Sequence, residues 1–169
     1  WPTAQKNPTG KIQKVLGQAG VHEVEMHAIM AEFGLPVRFP RKVLTEAKAL
    51  PTAIPARALT HRRDFRAVPT FTIDPEDAKD FDDALSLREL PNGHHEVGVH
   101  FADASYYVQE ECLLDYEALE RGTSVYLVDR TIPMLPEKLS NELCSLRPRE
   151  DKLTMSAVFE IDSRGKVHQ

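Results

Sequence analysis

A dense run of acidic side chains between positions 74 and 83 is the part of this sequence best suited to chemistry. Six carboxylates fall within these ten positions, namely Asp74, Glu76, Asp77, Asp80, Asp82 and Asp83. Like charges this close repel one another and raise carboxylate pKa values. A divalent cation removes that repulsion, because Mg²⁺ prefers hard oxygen ligands. Two such ions about 3.5–4 Å apart can activate a water molecule and stabilise the leaving oxygen in phosphodiester hydrolysis.

Spacing alone leaves other interpretations of this run open. A solvated acidic loop is the usual explanation of a charge run. A calcium loop of the helix-loop-helix kind is excluded, because it needs Gly at its sixth position, where a loop starting at Asp74 has Lys79. Regular strand geometry would point Asp82 and Asp83 to opposite faces. A metal ion shared by these two residues therefore requires irregular backbone.

Short strands flank the acidic run and would position it. The β-prone segment 70–73 precedes Asp74, and the alternating segment 84–88 follows Asp83. The dipeptide Asn92-Gly93 predicts a hairpin turn into the next strand. The expected strands are 11–16, 70–73, 84–88, 95–101, 124–128 and 153–161.

Helical patterns occupy much of the remaining chain. Met26, Ile29, Met30 and Phe33 fall at i, i+3, i+4 and i+7, which predicts one apolar stripe on a helix that ends at Gly34. The expected helices are 17–34, 41–50, 113–121 and 137–143, and in the second of these Val43, Ala47 and Leu50 share one face.

Composition indicates a folded chain without a membrane segment. Hydrophobic residues make up 41% of the 169 positions, which is enough for a packed core, and no apolar run approaches the ~20 residues that span a bilayer. The net charge of −5 does not by itself favour binding to nucleic acid. A cation site must be acidic locally, however, so the net charge neither supports nor excludes a nucleic-acid-binding protein. Cys112 and Cys144 match no metal or disulfide pattern and indicate free thiols in a reducing cytoplasm.

Several ordered motifs resemble one known family. Residues 74–84, D-P-E-D-A-K-D-F-D-D-A, resemble the aspartate motif that opens the catalytic domain of the RNB (VacB/ribonuclease II) family, and the whole chain is most similar to its ribonuclease R type. Further matching stretches are R-R-D-F-R at 62–66, V-H-F-A-D-A-S-Y-Y-V at 99–108, T-I-P-M-L-P at 131–136 and L-C-S-L at 143–146. The opening, N-P-T-G-K-I at 7–12, resembles the end of a second cold-shock domain.

The resemblance implies a reaction and a role for five residues. Asp74, Asp80, Asp82 and Asp83 fall on the family's active-site aspartates, which hold Mg²⁺, with Mn²⁺ as a substitute, and Asp82 is the expected catalytic residue. Tyr126 falls on a tyrosine that contacts the 3′-terminal nucleotide, and stacking is a reasonable physical role for it. The implied reaction is processive 3′-to-5′ hydrolysis of single-stranded RNA, or of RNA with a 3′ overhang, to 5′-mononucleotides.

The resemblance also implies an α+β fold, the N-terminal portion of an RNB catalytic domain with antiparallel strands and flanking helices. We expect a cold-shock remnant at 1–16, a helical linker at 17–60 and a truncated catalytic domain at 61–169. The missing initiator Met and later family motifs predict a fragment with very little nuclease activity of its own. Its exposed sheet edges would favour self-association, whereas the parent is expected to be monomeric.

Two other classes of function stay open, a noncatalytic RNA-binding segment and an acidic structural domain without a ligand. The aspartate set argues against the first, because it would repel phosphate without metal. Metal titration would separate the second. His100 beside Asp103 suits either a positioned base or a packed histidine, and the basic cluster 62–66 suits either RNA phosphates or a surface near a domain boundary.

Overall fold

The computed structural model describes residues 10–168, and the chain divides into two compact units, residues 1–37 and 38–169. The first unit contains α1 (His22–Glu32). Gly34 ends this helix as predicted, with φ +65° and a hydrogen bond of 2.8 Å from the Leu35 N–H to the Met30 carbonyl. Of the predicted apolar stripe only Met30 is buried, and Phe33 is 71% exposed.

Two predictions for the first unit are wrong. The helix begins at His22 instead of residue 17, because Gly17 and Gly20 adopt positive φ angles of 142° and 82° that no α-helix contains. Residues 11–16 form no strand, and Ile12 and Val15 are 81% and 79% exposed, since no neighbouring strand within 10–168 pairs with them. Residues 1–9 of the expected cold-shock remnant lie outside the described residues, and the domain boundaries at 16 and 60 stay predictions.

The second unit mixes helices with an antiparallel sheet, which confirms the predicted fold class. Its elements in chain order are α2 (Arg41–Ala49), a 3₁₀ helix (Ala56–Leu59), β1 (Thr70–Phe71), β2 (Asp83–Glu89), β3 (His95–Ala102), α3 (Ala104–Tyr107), α4 (Leu113–Arg121), β4 (Val125–Tyr126), β5 (Thr131–Ile132), a π-helix (Lys138–Leu143) and β6 (Thr154–Ile161).

The main sheet has the strand order β1-β2-β3-β6, with every neighbouring pair antiparallel. β2 and β3 form the predicted hairpin, in which Gly93 takes φ +78° and its N–H donates to the Leu90 carbonyl at 2.9 Å. In the register, Asp83 pairs with Phe101, and Phe101 pairs with Met155 of β6. The start of β2 and the end of β3, which lie next to the acidic run, are therefore held in place by their pairing within the sheet.

The hydrophobic core of this unit lies between α2, α4 and the π-helix. Val43 and Ala47 of α2 are buried, as the sequence predicts, and Leu50 packs against the same cluster. Leu114 of α4 and Leu139 of the π-helix are almost completely buried. Burying a leucine side chain stabilises the folded state by about 1.5–3 kcal/mol. The helix predicted at 137–143 is present as the π-helix Lys138–Leu143, which has a wider turn than an α-helix. No helix in the described part of the chain is long and apolar enough to cross a membrane.

Candidate metal centre

The sheet brings the two ends of the acidic run back to one place. β1 ends at Phe71, which pairs with Leu85, so the loop from Thr72 to Asp82 leaves and returns at the same end of the paired strands β1 and β2. Asp74 follows shortly after β1, and Asp83 is the first residue of β2. The carbonyl of Asp82 accepts a hydrogen bond of 2.9 Å from the Ala102 N–H at the end of β3. The loop backbone at Asp82 is therefore tied to the sheet.

The charges of the other three predicted aspartates act on Asp82. Asp82 keeps contact with solvent, but the protein around it removes enough water to raise the pKa of its carboxyl group. The charges of Asp80, Asp83 and Asp74 raise this pKa further, in that order. The other three carboxylates therefore lie near enough to Asp82 for their charges to act on it.

The donor set fits a hard divalent cation chemically, since clustered carboxylates with unfavourable mutual repulsion are what such a cation neutralises. The side chains do not converge on one point, however. Within residues 10–168 no three His, Cys, Asp or Glu side chains stand in an arrangement that could hold a metal ion. The charges of Asp80, Asp83 and Asp74 act on Asp82, but a site in which the four residues converge on a metal ion stays a prediction.

Tyr126 contacts the aspartate cluster directly. Its hydroxyl donates a hydrogen bond of 2.6 Å to Oδ2 of Asp80, although 46 residues separate them in the chain. This hydrogen bond, followed by desolvation and the charges of Asp80 and Asp82, raises the pKa of Tyr126 to about 12. The side chain stays 63% exposed. An aromatic face is therefore open to solvent beside the carboxylates, and its contact with a nucleotide stays a prediction.

His100 is a packed histidine, which settles one open alternative. It is 3% exposed, and its ring nitrogens lie 2.7 Å from Oγ of Ser156 and 2.8 Å from Oγ of Ser86. Burial lowers the pKa of His100, so the neutral ring is favoured. It makes no hydrogen bond to Asp103, and it is not placed to act as a base.

The three arginines of the basic cluster at 62–66 all form ion pairs within the protein. Arg62 binds the buried carboxylate of Asp103 and also donates to the Thr154 carbonyl at 2.9 Å. Arg63 pairs with Glu96 at 2.6 Å, and Arg66 pairs with Asp64 at 2.6 Å. This favours a structural role over binding to RNA phosphates. The sequence carried no signal for the Arg62–Asp103 pair, because 41 residues separate the partners.

Comparisons with known proteins agree with this architecture. The family model of the RNB domain matches residues 62–169, and that of a cold shock domain matches residues 1–40. Ribonuclease R of Thermotoga maritima is 48% identical over 169 residues, covering 99% of this chain and 24% of that protein. DIS3-like exonuclease 2 of Xenopus tropicalis is also 48% identical, with 99% and 20% covered. The chain thus spans about a quarter or less of the length of these relatives.

Solved structures show the same fold. RNase R of Mycoplasma genitalium in complex with ribose methylated single-stranded RNA superimposes with a TM-score of 0.84 at 29% identity, covering 93% of this chain and 24% of that one. Yeast Ssd1, described as a pseudonuclease, superimposes with a TM-score of 0.74 at 23% identity, covering 91% of this chain and 20% of that one, which shows the fold alone.

Proposed function

This chain belongs to the RNB family, and on that premise we propose that it forms the metal-binding part of an enzyme that degrades RNA processively from its 3′ end to 5′-mononucleotides. The relatives at 48% identity are named as a ribonuclease and an exonuclease. The observation that carries the proposal is that the sheet holds both ends of the acidic loop, through the pairing of Phe71 with Leu85 and the hydrogen bond from the Ala102 N–H to the Asp82 carbonyl, while the charges of the other three aspartates act on Asp82.

In the proposed site the four aspartates hold Mg²⁺, for which Mn²⁺ can substitute. A bound ion of this kind supplies Lewis-acid polarisation of the phosphate and a nucleophilic water. Asp82 is the proposed catalytic residue, because it is the carboxylate on which the other three charges act. Burial and the neighbouring charges raise its pKa, and a bound cation would offset both effects. Asp74, Asp80 and Asp83 complete the ligand set.

Tyr126 is the proposed contact for the terminal nucleotide. Its hydroxyl is held by Asp80, and its ring is exposed beside the cluster. A base stacked on such a ring gains about 1–3 kcal/mol without sequence preference. The proposed substrate is therefore single-stranded RNA or RNA with a 3′ overhang. The free thiols of Cys112 and Cys144 support a reducing compartment, and we propose the cytoplasm.

A domain exchange tests this function. The matching segment of the Thermotoga maritima ribonuclease R would be replaced by this chain, and the product would be assayed on RNA labelled at either end. We expect metal-dependent release of mononucleotides that begins at the 3′ end. Asp82→Asn should lower the rate about 100-fold or more, because metal assistance contributes several kcal/mol and each 1.36 kcal/mol is a factor of ten.

The matched control is Asp77→Asn, which removes a carboxylate from the same loop but from outside the proposed ligand set. It should leave the rate nearly unchanged. A chimera that folds but degrades no RNA would contradict the proposal, as would equal losses in the two variants. The isolated chain should release very little mononucleotide, since it spans about a quarter of the relatives.

A noncatalytic RNA-binding role is the second candidate, because RNase R of Mycoplasma genitalium, which shares the fold at 29% identity, is described in complex with RNA. The four aspartates favour the enzyme. Without a cation they would repel the phosphates that a binding module has to attract.

A further inference from the structure

Ser145 lies fully buried beside the acidic loop, with an exposed fraction of 0%. Its hydroxyl makes two hydrogen bonds to the loop backbone. It donates to the Lys79 carbonyl at 2.7 Å and accepts from the Phe81 N–H at 3.1 Å. These two backbone groups stand on either side of Asp80. One hydroxyl therefore spans the residue whose carboxylate accepts the Tyr126 hydroxyl.

A third hydrogen bond strengthens this connection. The Leu146 N–H donates to the Phe81 carbonyl at 2.8 Å, so both backbone groups of Phe81 are bound by residues 145 and 146. Residues 79–81 belong to no helix or strand, and no ladder satisfies these groups in place of Ser145. A hydroxyl is suited to the position because it can donate and accept at the same time.

The π-helix explains how Ser145 reaches this position. The Cys144 N–H donates to the Leu139 carbonyl at 2.8 Å, which closes a wide turn directly before Ser145. Leu139 and Leu143 anchor this helix in the core against α2. Turns of this π type occur often at functional sites. The hydroxyl of Ser145 is thus held by the core and not by the loop that it binds.

We propose that Ser145 is a positioning residue of the metal-binding loop, whose hydroxyl fixes the backbone on both sides of Asp80 so that Asp80 and Asp82 are presented together to a divalent cation. This inference rests on the proposed function for the identity of the ligand. The hydroxyl touches neither metal nor RNA. Its effect passes through the Lys79 carbonyl and the Phe81 N–H.

Metal binding by the full 169-residue chain tests the proposal, with Mn²⁺ as the probe and electron paramagnetic resonance as the readout. Ser145→Ala removes the hydroxyl and adds no bulk. It should weaken Mn²⁺ binding roughly tenfold or more, the usual effect of losing a residue that orients a metal ligand. The matched control is Ser86→Ala. Ser86 is also buried, at 2% exposure, and its hydroxyl bonds to His100 instead of the loop.

Ser86→Ala should lower stability through the loss of a buried hydrogen bond but leave Mn²⁺ affinity unchanged. A purely structural role for Ser145 would make the two variants alike in both measurements, and that result would overturn the proposal. Equal Mn²⁺ affinity in Ser145→Ala and the wild-type chain would overturn it as well.

Amide hydrogen exchange gives a second readout that needs neither metal nor a variant. In the wild-type chain the Phe81 N–H should exchange about as slowly as the Leu146 N–H, because Ser145 protects it. Exchange at the rate of an unstructured peptide would refute the proposal even if Ser145→Ala does not fold. If the wild-type chain binds no Mn²⁺, the proposed function fails, and the exchange of Phe81 still decides whether Ser145 holds the loop.

Discussion

The ion pair between Arg62 and Asp103 should be one of the most important polar interactions in the second unit. Asp103 is 5% exposed, and its carboxylate binds Arg62, the Ser105 hydroxyl at 2.7 Å and the Tyr106 N–H at 3.2 Å. Arg62 also donates to the Ala58 carbonyl at 3.0 Å and to the Thr154 carbonyl. The guanidinium group therefore joins the 3₁₀ helix to the start of β6 and to the end of β3.

Replacing Arg62 by Met keeps an apolar stem of similar length and removes these hydrogen bonds. Breaking a buried pair by deleting one partner costs about 3–5 kcal/mol. Two features reduce this figure here, since Ser105 and Tyr106 still bind the carboxylate and the Arg62 side chain is 29% exposed. We expect Arg62→Met to lower the free energy of unfolding by about 2–4 kcal/mol. Adding Asp103→Asn should restore part of the loss, because it removes the uncompensated charge.

Urea unfolding at pH 7, followed by circular dichroism, measures this effect as a lower midpoint with an unchanged slope. The control is Arg66→Met, whose side chain is 65% exposed in its pairs with Asp64 and Asp151. Exposed pairs of this kind contribute little, and the midpoint should stay where it is. Equal midpoints for Arg62→Met and the wild-type chain would refute the reasoning, and so would equal losses in the two variants.

The Arg62–Asp103 ion pair predicts that the free energy of unfolding depends on pH. Burial by itself raises the pKa of Asp103, but the hydrogen bonds from Ser105 and Arg62, the charge of Arg62 and the Tyr106 N–H outweigh it, and the pKa is lowered overall. A carboxylate with a lowered folded-state pKa contributes stability above its unfolded-state value, and that stability is lost as the pH falls through the folded-state pKa. The difference in the free energy of unfolding between the wild-type chain and Arg62→Met should therefore become smaller below about pH 4.

Three further substitutions or reactions test other parts of the structure. Gly98→Ala should cost about 1–3 kcal/mol in urea unfolding, since a Cβ there would lie 2.6 Å from Nε2 of His100; wild-type stability would show that this packing is loose. Burial raises the pKa of the Cys144 thiol to about 11. A disulfide reagent should therefore modify Cys112, which is partly exposed, before Cys144. Preferential labelling of Cys144 would contradict its burial. Asp80→Asn should lower the pKa of Tyr126 from about 12 towards 10, measured by ultraviolet titration, and an unchanged value would mean that the two residues do not meet.

Local patterns predicted those elements whose signals lie within a few residues. Asn92-Gly93 fixes the hairpin, since Gly93 supplies the positive φ that its turn needs. Helix α4 has the predicted bounds Leu113–Arg121 and ends at Gly122, which has φ +73°. Here the chain carries its own turn and cap chemistry. In contrast, the predicted strand at 11–16 had only local β-propensity, and propensity without a paired neighbour forms no strand.

Motif resemblance named the residues of the candidate site, the four aspartates and Tyr126, and their roles stay predictions. The structure shows the Tyr126 hydroxyl bound to Asp80 and the charges of Asp80, Asp83 and Asp74 acting on Asp82. Nothing in the spacing indicated the bond from Tyr126 to Asp80, or the span of the loop backbone by Ser145, because such contacts join segments 46 and about 65 residues apart. The family match at 143–146 includes Ser145, but nothing in that stretch indicates that its hydroxyl reaches the acidic loop.

Stabilisation of the isolated chain by Mg²⁺ tests the central claim most directly. Thermal unfolding would be followed at rising Mg²⁺ concentrations for the wild-type chain, Asp82→Asn and Asp77→Asn. A ligand at 100 times its Kd adds about 2.7 kcal/mol to the stability of the folded state. We predict a rising Tm for the wild-type chain and Asp77→Asn, and a constant Tm for Asp82→Asn. A wild-type Tm that does not respond to Mg²⁺, or an undiminished response in Asp82→Asn, would contradict the account.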